Sequence, residues 1–138
     1  MGNRRKSREI ALQVLYQIEM LGESSRHLLF WKGKEIEDEV RTFAMELVDG
    51  TTEHLKEIDD LIEKQSTHWR LARMAVVDRN ILRLAVYELL YGREIPVSVT
   101  LNEAIEIAKK FGTEESGSFI NGVLDQIAKG ESPKGKKE

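Results

Sequence analysis

The sequence predicts an all-α protein of about six or seven helices. Apolar residues recur at three- and four-residue steps along most of the chain, which is the spacing of one helical face. Strand-like alternation is confined to the short step Val97-Ser98-Val99. With 138 residues and 41% hydrophobic side chains, the chain is long enough for one domain with its own core. We expect a single helical domain over residues 1–129 and a basic, disordered tail over residues 130–138, which is too polar to pack.

The first helix is predicted over Glu9–Leu21, where apolar residues keep helical phase and Gly22 ends the pattern. If Asn3 caps this helix, the basic residues that follow Asn3 occupy its first turn. A weaker segment, His27–Trp31, could form a short helix.

The pattern from Ile36 to about Gln65 is interpreted as one long helix. Gly50 interrupts it and could mark a kink or a close helix crossing. After a connection and a possible single turn at Leu71–Met74, the segment Val76–Tyr91 is apolar on almost every face. Such a helix is surrounded by others, so we expect it at the centre of the fold, ended by Gly92.

Two further helices complete the chain. Thr100-Leu101-Asn102-Glu103 is interpreted as a capping box that opens the next helix, and Gly112 stands where a left-handed C-terminal cap would end it. Thr113 can cap the last helix, whose apolar residues lie between Phe119 and Ile127.

Charge is distributed unevenly along the chain. The net charge is −3, but residues 1–8 carry +4 and residues 129–138 carry +2, so the acidic part between them carries −9. Basic termini commonly bind nucleic acid or an anionic membrane surface. A basic terminus that is merely hydrated is equally compatible with the charge pattern.

Several function classes are disfavoured by composition. The chain has no cysteine, which excludes disulfides and thiolate metal sites and suits the cytoplasm. Its three histidines lack the spacing of a zinc site, and no apolar run approaches the roughly 20 residues of a membrane span. Residues 130–136 match the G-x-x-x-x-G-K pattern of a phosphate-binding loop. Such a loop requires a strand before it and a helix after it, and the sequence predicts neither here. We therefore predict no cofactor, no metal and no enzymatic activity.

Two groups of cations stand out. If Asn3 caps the first helix, Arg4, Arg5 and Lys6 occupy its first turn, where the helix dipole disfavours cations, so a phosphate site and a frayed, hydrated segment are both compatible with the pattern. Arg83 lies within the apolar segment Val76–Tyr91, and we expect it to pair with Glu88, or with Glu103 or Glu106 of the next helix.

Five stretches of the chain resemble the bacterial NusB family, in order and over nearly its whole length. They are Arg8-Glu9 leading through Ala11, Leu15 and Tyr16, then Asp78–Leu89, Ile95-Pro96, Asn102–Lys109 and Phe119–Asp125. The last two are long and distinctive, and the resemblance is weakest over residues 23–34.

The resemblance implies a NusB-like bundle of about seven helices in two packed three-helix sub-bundles. It also implies a transcription antitermination factor that binds the boxA element of ribosomal RNA leader transcripts as single-stranded RNA. The family does so with the ribosomal protein NusE, within an assembly on RNA polymerase. Some members dimerise, so a homodimer is possible.

The same resemblance implies which residues bind. The N-terminal RNA contacts map onto Arg4, Arg5, Lys6 and Arg8, and a second RNA patch maps onto Glu115, Ser118 and Phe119. Many relatives have a lysine in place of Ser118. Phe119 could stack on a base or fill the core. The NusE contacts map onto Tyr16 and Asp78.

Two other functions stay open. A NusB-like domain also precedes the catalytic domain of some RNA cytosine methyltransferases, although this chain has no room for a cofactor-binding domain. The main alternative is an RNA-independent helical adaptor that acts by self-association, for which the acidic middle of the chain is mild support.

Overall fold

The computed structural model describes residues 2–22, 35–66 and 70–130. These residues form six α-helices and no strand, which confirms the all-α class. The helices are α1 (Gly2–Leu21), α2 (Asp38–Glu53), α3 (Leu55–Gln65), α4 (Val76–Tyr91), α5 (Val97–Phe111) and α6 (Ser116–Gly130), with a 3-10 turn at Leu71–Arg73. The predicted short helix at 27–31 and the tail after Gly130 lie outside the described residues. None of the described helices combines the length and the apolar character that crossing a bilayer requires.

Helix α4 is the centre of the fold, as its apolar sequence predicts. It packs against each of the other five described helices. Helices α1 and α2 also pack on each other, as do α5 and α6, while α3 reaches α4 and α6. The described residues therefore form six helices arranged around α4, whereas the prediction was about seven helices in two packed three-helix sub-bundles.

The prediction of one long helix over residues 36–65 is wrong, because the chain breaks at His54. The backbone there has φ −110° and ψ 23°, and the His54 N–H donates to the Gly50 carbonyl. The His54 ring stacks on Tyr91 of α4 with centroids 4.3 Å apart. Apolar residues keep nearly the same phase on both sides of this turn, so periodicity alone does not reveal it.

Gly50 lies at a close helix crossing, one of the two alternatives for this position. A Cβ added there would lie 2.2 Å from Cζ of Tyr87 on α4. The Tyr87 ring is held in turn by stacking on Tyr91, with centroids 5.4 Å apart. The absence of a side chain at Gly50 therefore allows α2 to approach α4.

The prediction of a capping box at Thr100 is also wrong. Helix α5 begins earlier, at Val97, with Pro96 before it and no side-chain cap. The Thr100 hydroxyl instead donates to Glu88 Oε1 at 3.0 Å, and Glu103 pairs with Arg5. Both side chains of the predicted box thus contact other helices, which no local pattern can show.

The connection between α5 and α6 confirms one predicted cap and corrects another. Gly112 has φ −97° and ψ −161°, so it is extended and not left-handed. Thr113 does cap the last helix, since its Oγ1 accepts a hydrogen bond from the Glu115 N–H at 3.3 Å. Ser116 Oγ accepts in return from the Thr113 N–H at 2.9 Å. This reciprocal pair fixes where α6 begins.

We predict that Gly50→Ala is less stable than Gly122→Ala by about 1–3 kcal/mol, the usual cost of overpacking. Both glycines are helical, and alanine should stabilise an open helical site by up to about 1 kcal/mol. Gly122 is such a site, with nothing within 4 Å of an added Cβ. Urea unfolding of the two variants measures the difference. Equal stability would mean that Tyr87 moves aside without cost.

Candidate nucleic-acid interface

Helix α1 begins at Gly2, before the predicted start at Glu9. Asn3 is therefore inside the helix and not its cap. The basic residues of the N-terminus lie in the first two turns, where successive side chains point about 100° apart around the axis. The helix consequently directs these cations into different surroundings.

Arg8 is buried, with 5% of its surface exposed. Its Nε donates to Glu88 Oε2 at 2.5 Å and its NH2 to Glu88 Oε1 at 3.1 Å. The hydroxyl of Thr100, on α5, donates a further hydrogen bond to the Glu88 carboxylate. A buried charge persists when it is paired and hydrogen-bonded in this way. Arg8, which the resemblance assigns to RNA, therefore joins α1 to α4 and presents almost no surface to a phosphate.

Arg5 is partly available. Its Nε and NH2 donate to the two carboxylate oxygens of Glu103 at 2.9 and 2.8 Å, while 45% of its side chain remains exposed. The hydrogen bonds and charge of Arg5 lower the pKa of Glu103 below its usual value. The same pairing raises the pKa of Arg5.

Arg4 and Lys6 are exposed on α1. The Arg4 guanidinium lies over the Phe43 ring of α2, 3.8 Å from its centroid. Within the described ranges, neither Arg4 nor Lys6 forms an ion pair with a carboxylate. They are therefore the N-terminal cations best placed to bind an external anion.

Arg4 also lines a groove of about 750 Å³ between α1, α2 and the connection from α4 to α5. Its other walls combine apolar, amide and charged groups, among them Phe43, Glu46, Arg93, Val99 and Asn102. Tyr91 also lines it, and the Tyr91 hydroxyl donates to Glu57 Oε1 at 2.7 Å. That hydrogen bond and burial raise the pKa of Tyr91 to about 12, so it stays protonated.

The second predicted patch lies at the start of α6. Glu115 and Ser118 are exposed, and Phe119 is half-buried against the core. Glu115 and Phe119 line a cavity of about 420 Å³. A carboxylate repels phosphate, so Glu115 can serve RNA only as an acceptor, for a base amino group or a ribose hydroxyl.

The two residues assigned to the protein partner lie on α1 and α4. Tyr16 is 40% exposed. Asp78 is half-buried, and its Oδ1 accepts a hydrogen bond from Ser116 Oγ at 2.7 Å. Asp78 also lines the same cavity as Phe119. The sequence analysis treated the NusE contact at Asp78 and the RNA patch at Phe119 as separate sites. It missed Ser116, which contacts Asp78 and lines the same cavity as Phe119.

Arg83 forms structural ion pairs, but with partners other than those expected. Its Nε and NH2 donate to the two oxygens of Asp59 at 2.9 and 3.1 Å, and its NH1 donates to Glu19 at 3.2 Å. Glu88 is five residues further along α4, which turns it to another face and toward Arg8. Glu103 and Glu106 lie on α5, where Glu103 pairs with Arg5.

Glu19 collects several donors at the far end of α1. It accepts hydrogen bonds from Arg79 and Asn80 as well as from Arg83. Burial works to raise the pKa of Glu19, but these hydrogen bonds and the arginine charges outweigh it, so the pKa is lowered. Both ends of α1 are thus joined to the rest of the bundle by ion pairs.

We predict that Glu103→Gln reduces the acid sensitivity of the fold. Because the folded-state pKa of Glu103 is lowered, its pairing stabilises the protein above the unfolded value near 4.3. That contribution is lost as the pH falls through the folded-state pKa. Thermal unfolding between pH 7 and pH 3 should show a smaller loss of stability for this variant than for wild type. Glu106→Gln, an exposed carboxylate on the same helix, is the control and should behave as wild type.

The sequence profile of the NusB family matches residues 5–129. The transcription antitermination protein NusB of Anaeromyxobacter dehalogenans is 53% identical over 133 residues, which cover 94% of this chain and 93% of the relative. That of Desulfitobacterium hafniense is 50% identical and covers 98% and 94%.

Among solved structures, NusB of T. maritima has a TM-score of 0.87 and 42% identity, covering 96% of this chain and 94% of that one. A complex of the antitermination factors NusB and NusE with double-stranded RNA matches with a TM-score of 0.79 and 34% identity, covering 94% and 98%. Such identity over nearly the full length of both chains, together with the same helical fold, shows that this chain belongs to the NusB family.

Proposed function

We propose that this chain is a transcription antitermination factor that binds the boxA element of ribosomal RNA leader transcripts together with NusE. It then joins the antitermination complex on RNA polymerase, which places it in the cytoplasm. The observation that carries the proposal is that Arg4 is exposed at the groove and Lys6 is exposed on another side of α1, while Arg8 is held inside the bundle. Membership of a family of antitermination proteins supports it.

The mechanism is assembly, and it involves no bond chemistry. Arg4, Lys6 and the exposed edge of Arg5 hold phosphates, which supplies affinity that weakens with salt. Phe119 offers its half-exposed ring to a base at the second patch. Binding of NusE beside that patch enlarges the surface available to the transcript.

We propose single-stranded RNA as the ligand, although a related NusB has been solved with double-stranded RNA. Sequence-specific recognition of RNA generally needs unstacked bases, since the major groove of an A-form duplex is too narrow for side chains. A partly exposed aromatic ring such as Phe119 suits an unpaired base. Comparing one boxA strand with its duplex tests this choice directly, and tighter binding of the duplex would contradict it.

The proposed NusE surface includes Tyr16 and Asp78. Tyr16 lies off the apolar stripe of α1 and is a large side chain that exposes 40% of its surface, which suits a residue at an interface. A related NusB has been solved with NusE, which supports a protein partner for this chain.

We predict that Arg4→Ala combined with Lys6→Ala lowers the salt dependence of boxA binding. Each lost phosphate contact should reduce the slope of log K against log salt by about 0.7, so the double variant should lose about 1.4. Fluorescence anisotropy between low and moderate salt measures the slope. The matched control is Lys56→Ala with Lys64→Ala, which removes two exposed lysines of α3. A slope equal to that of wild type would remove α1 from the RNA site.

We predict that Asp78→Arg and Tyr16→Ala each weaken co-elution with NusE. The first places a cation where the proposed interface has a carboxylate, and the second removes an exposed ring. Gln13→Ala is the control, because it lies one turn before Tyr16 on α1 and is exposed. Circular dichroism checks that helicity is retained. Normal co-elution of both folded variants would exclude these residues from the interface.

Self-association without RNA is the second candidate function. The end of α1 exposes apolar side chains, with Met20 at 55% and Leu21 at 61%, and exposed apolar patches favour association. Sedimentation with and without boxA RNA and NusE distinguishes the two functions. A homodimer that is indifferent to both would favour the adaptor.

A further inference from the structure

The cavity at the start of α6 is lined by one cation, Arg73, that the sequence analysis did not single out. Its lining includes Arg73 from the 3-10 turn and Met74 directly after it, and Glu115 and Phe119 from the α6 side. Its volume of about 420 Å³ falls within the range of small-ligand pockets, about 300–1,000 Å³. One nucleotide could therefore occupy it.

Arg73 is an exposed cation at this cavity. In the parts of the chain that the structure describes, its guanidinium forms no hydrogen bond or ion pair. Arg79, which lies close by in sequence, differs: it donates to the carbonyls of Leu71 and Met74 and pairs with Glu19. The charge of Arg79 is thus satisfied internally, and the charge of Arg73 is available to a ligand.

The turn that carries Arg73 is held from several sides. Glu63 of α3 accepts a hydrogen bond from the Leu71 N–H at 2.9 Å. Arg79 donates to the Met74 carbonyl at 2.7 Å, and the Met74 N–H donates back to Leu71 at 3.1 Å. These bonds position the base of the Arg73 side chain before any ligand arrives, which lowers the entropic cost of binding.

We propose that Arg73 holds the phosphate of one nucleotide whose base packs against Phe119 in this cavity. The inference rests on the proposed RNA function and extends it to a residue outside the α6 patch. Glu115, Ser118 and Phe119 include no cation, and Glu115 repels phosphate. A strand that reaches Phe119 therefore needs a positive partner from another element, and Arg73 is such a residue on the same cavity.

The competing ligand for Arg73 is a carboxylate of a protein partner. Asp78, which belongs to the proposed NusE surface, lines the same cavity, so a bound NusE would lie near Arg73. The combination of an aromatic face and a cation favours a nucleotide, which brings both a flat base and a phosphate. RNA titrations without NusE separate the two ligands, since only the nucleotide contact survives in that condition.

The test is Arg73→Ala, titrated with labelled single-stranded boxA RNA. The salt slope should fall by about 0.7, which corresponds to about five-fold weaker binding at 0.1 M salt. Arg73→Lys keeps the charge and should keep the slope. Arg70→Ala is the matched control, because Arg70 is an exposed arginine directly before the same turn but does not line the cavity.

An unchanged slope for Arg73→Ala would overturn this inference, as would a loss of NusE co-elution with unaltered RNA binding. The proposed function would survive either result if wild type binds boxA and removal of Arg4 and Lys6 lowers the slope. If wild type does not bind boxA RNA with or without NusE, both proposals are wrong.

Discussion

The buried ion pair between Arg8 and Glu88 is the interaction on which the rest of the structure depends. It joins α1 to the central helix, and Thr100 extends it to α5. Removing one member of such a pair usually costs about 3–5 kcal/mol, because the other charge is left buried and unpaired. Because Arg8 faces the core, the rotation of α1 about its axis is set. Arg4, one turn earlier, lies on the same side of α1 but at the edge of the bundle, and Lys6 points to the opposite side. The RNA-binding role we propose for these two cations follows from that rotation.

Periodicity predicted most of the helices and the central place of α4, because a helix that is apolar on most faces has to be surrounded. Periodicity did not predict the break at His54, because the apolar residues of α2 and α3 keep nearly the same helical phase across the turn. Capping patterns were less informative: Thr100 and Glu103 match a capping box, but both contact side chains from other helices. Ion pairs between residues far apart in sequence, such as Arg8 and Glu88, leave no local signal. For the same reason, four cations that look equivalent in the sequence have different surroundings in the fold.

The proposed RNA and NusE surfaces meet at one junction. Asp78 accepts a hydrogen bond from Ser116, whose hydroxyl also accepts from the backbone that opens α6. The start of α4 and the start of α6 are thereby joined, and both line the cavity that contains Phe119. A partner bound at Asp78 would lie directly beside the RNA patch. In the proposed assembly, the partner and the α6 patch of the RNA site would therefore be neighbours.

The most direct test of this account is the salt dependence of boxA binding by the double variant Arg8→Met with Glu88→Leu. Replacing a buried ion pair by apolar residues of similar size is often tolerated. Apolar side chains at these two positions would still pack between α1 and α4 and keep the rotation of α1, so the variant should fold, as circular dichroism can verify. If Arg8 only holds α1 in place, the slope of log K against log salt will equal that of wild type. A folded variant whose slope is lower by about 0.7 would show that Arg8 itself neutralises a phosphate, which would contradict the division between buried and RNA-binding cations.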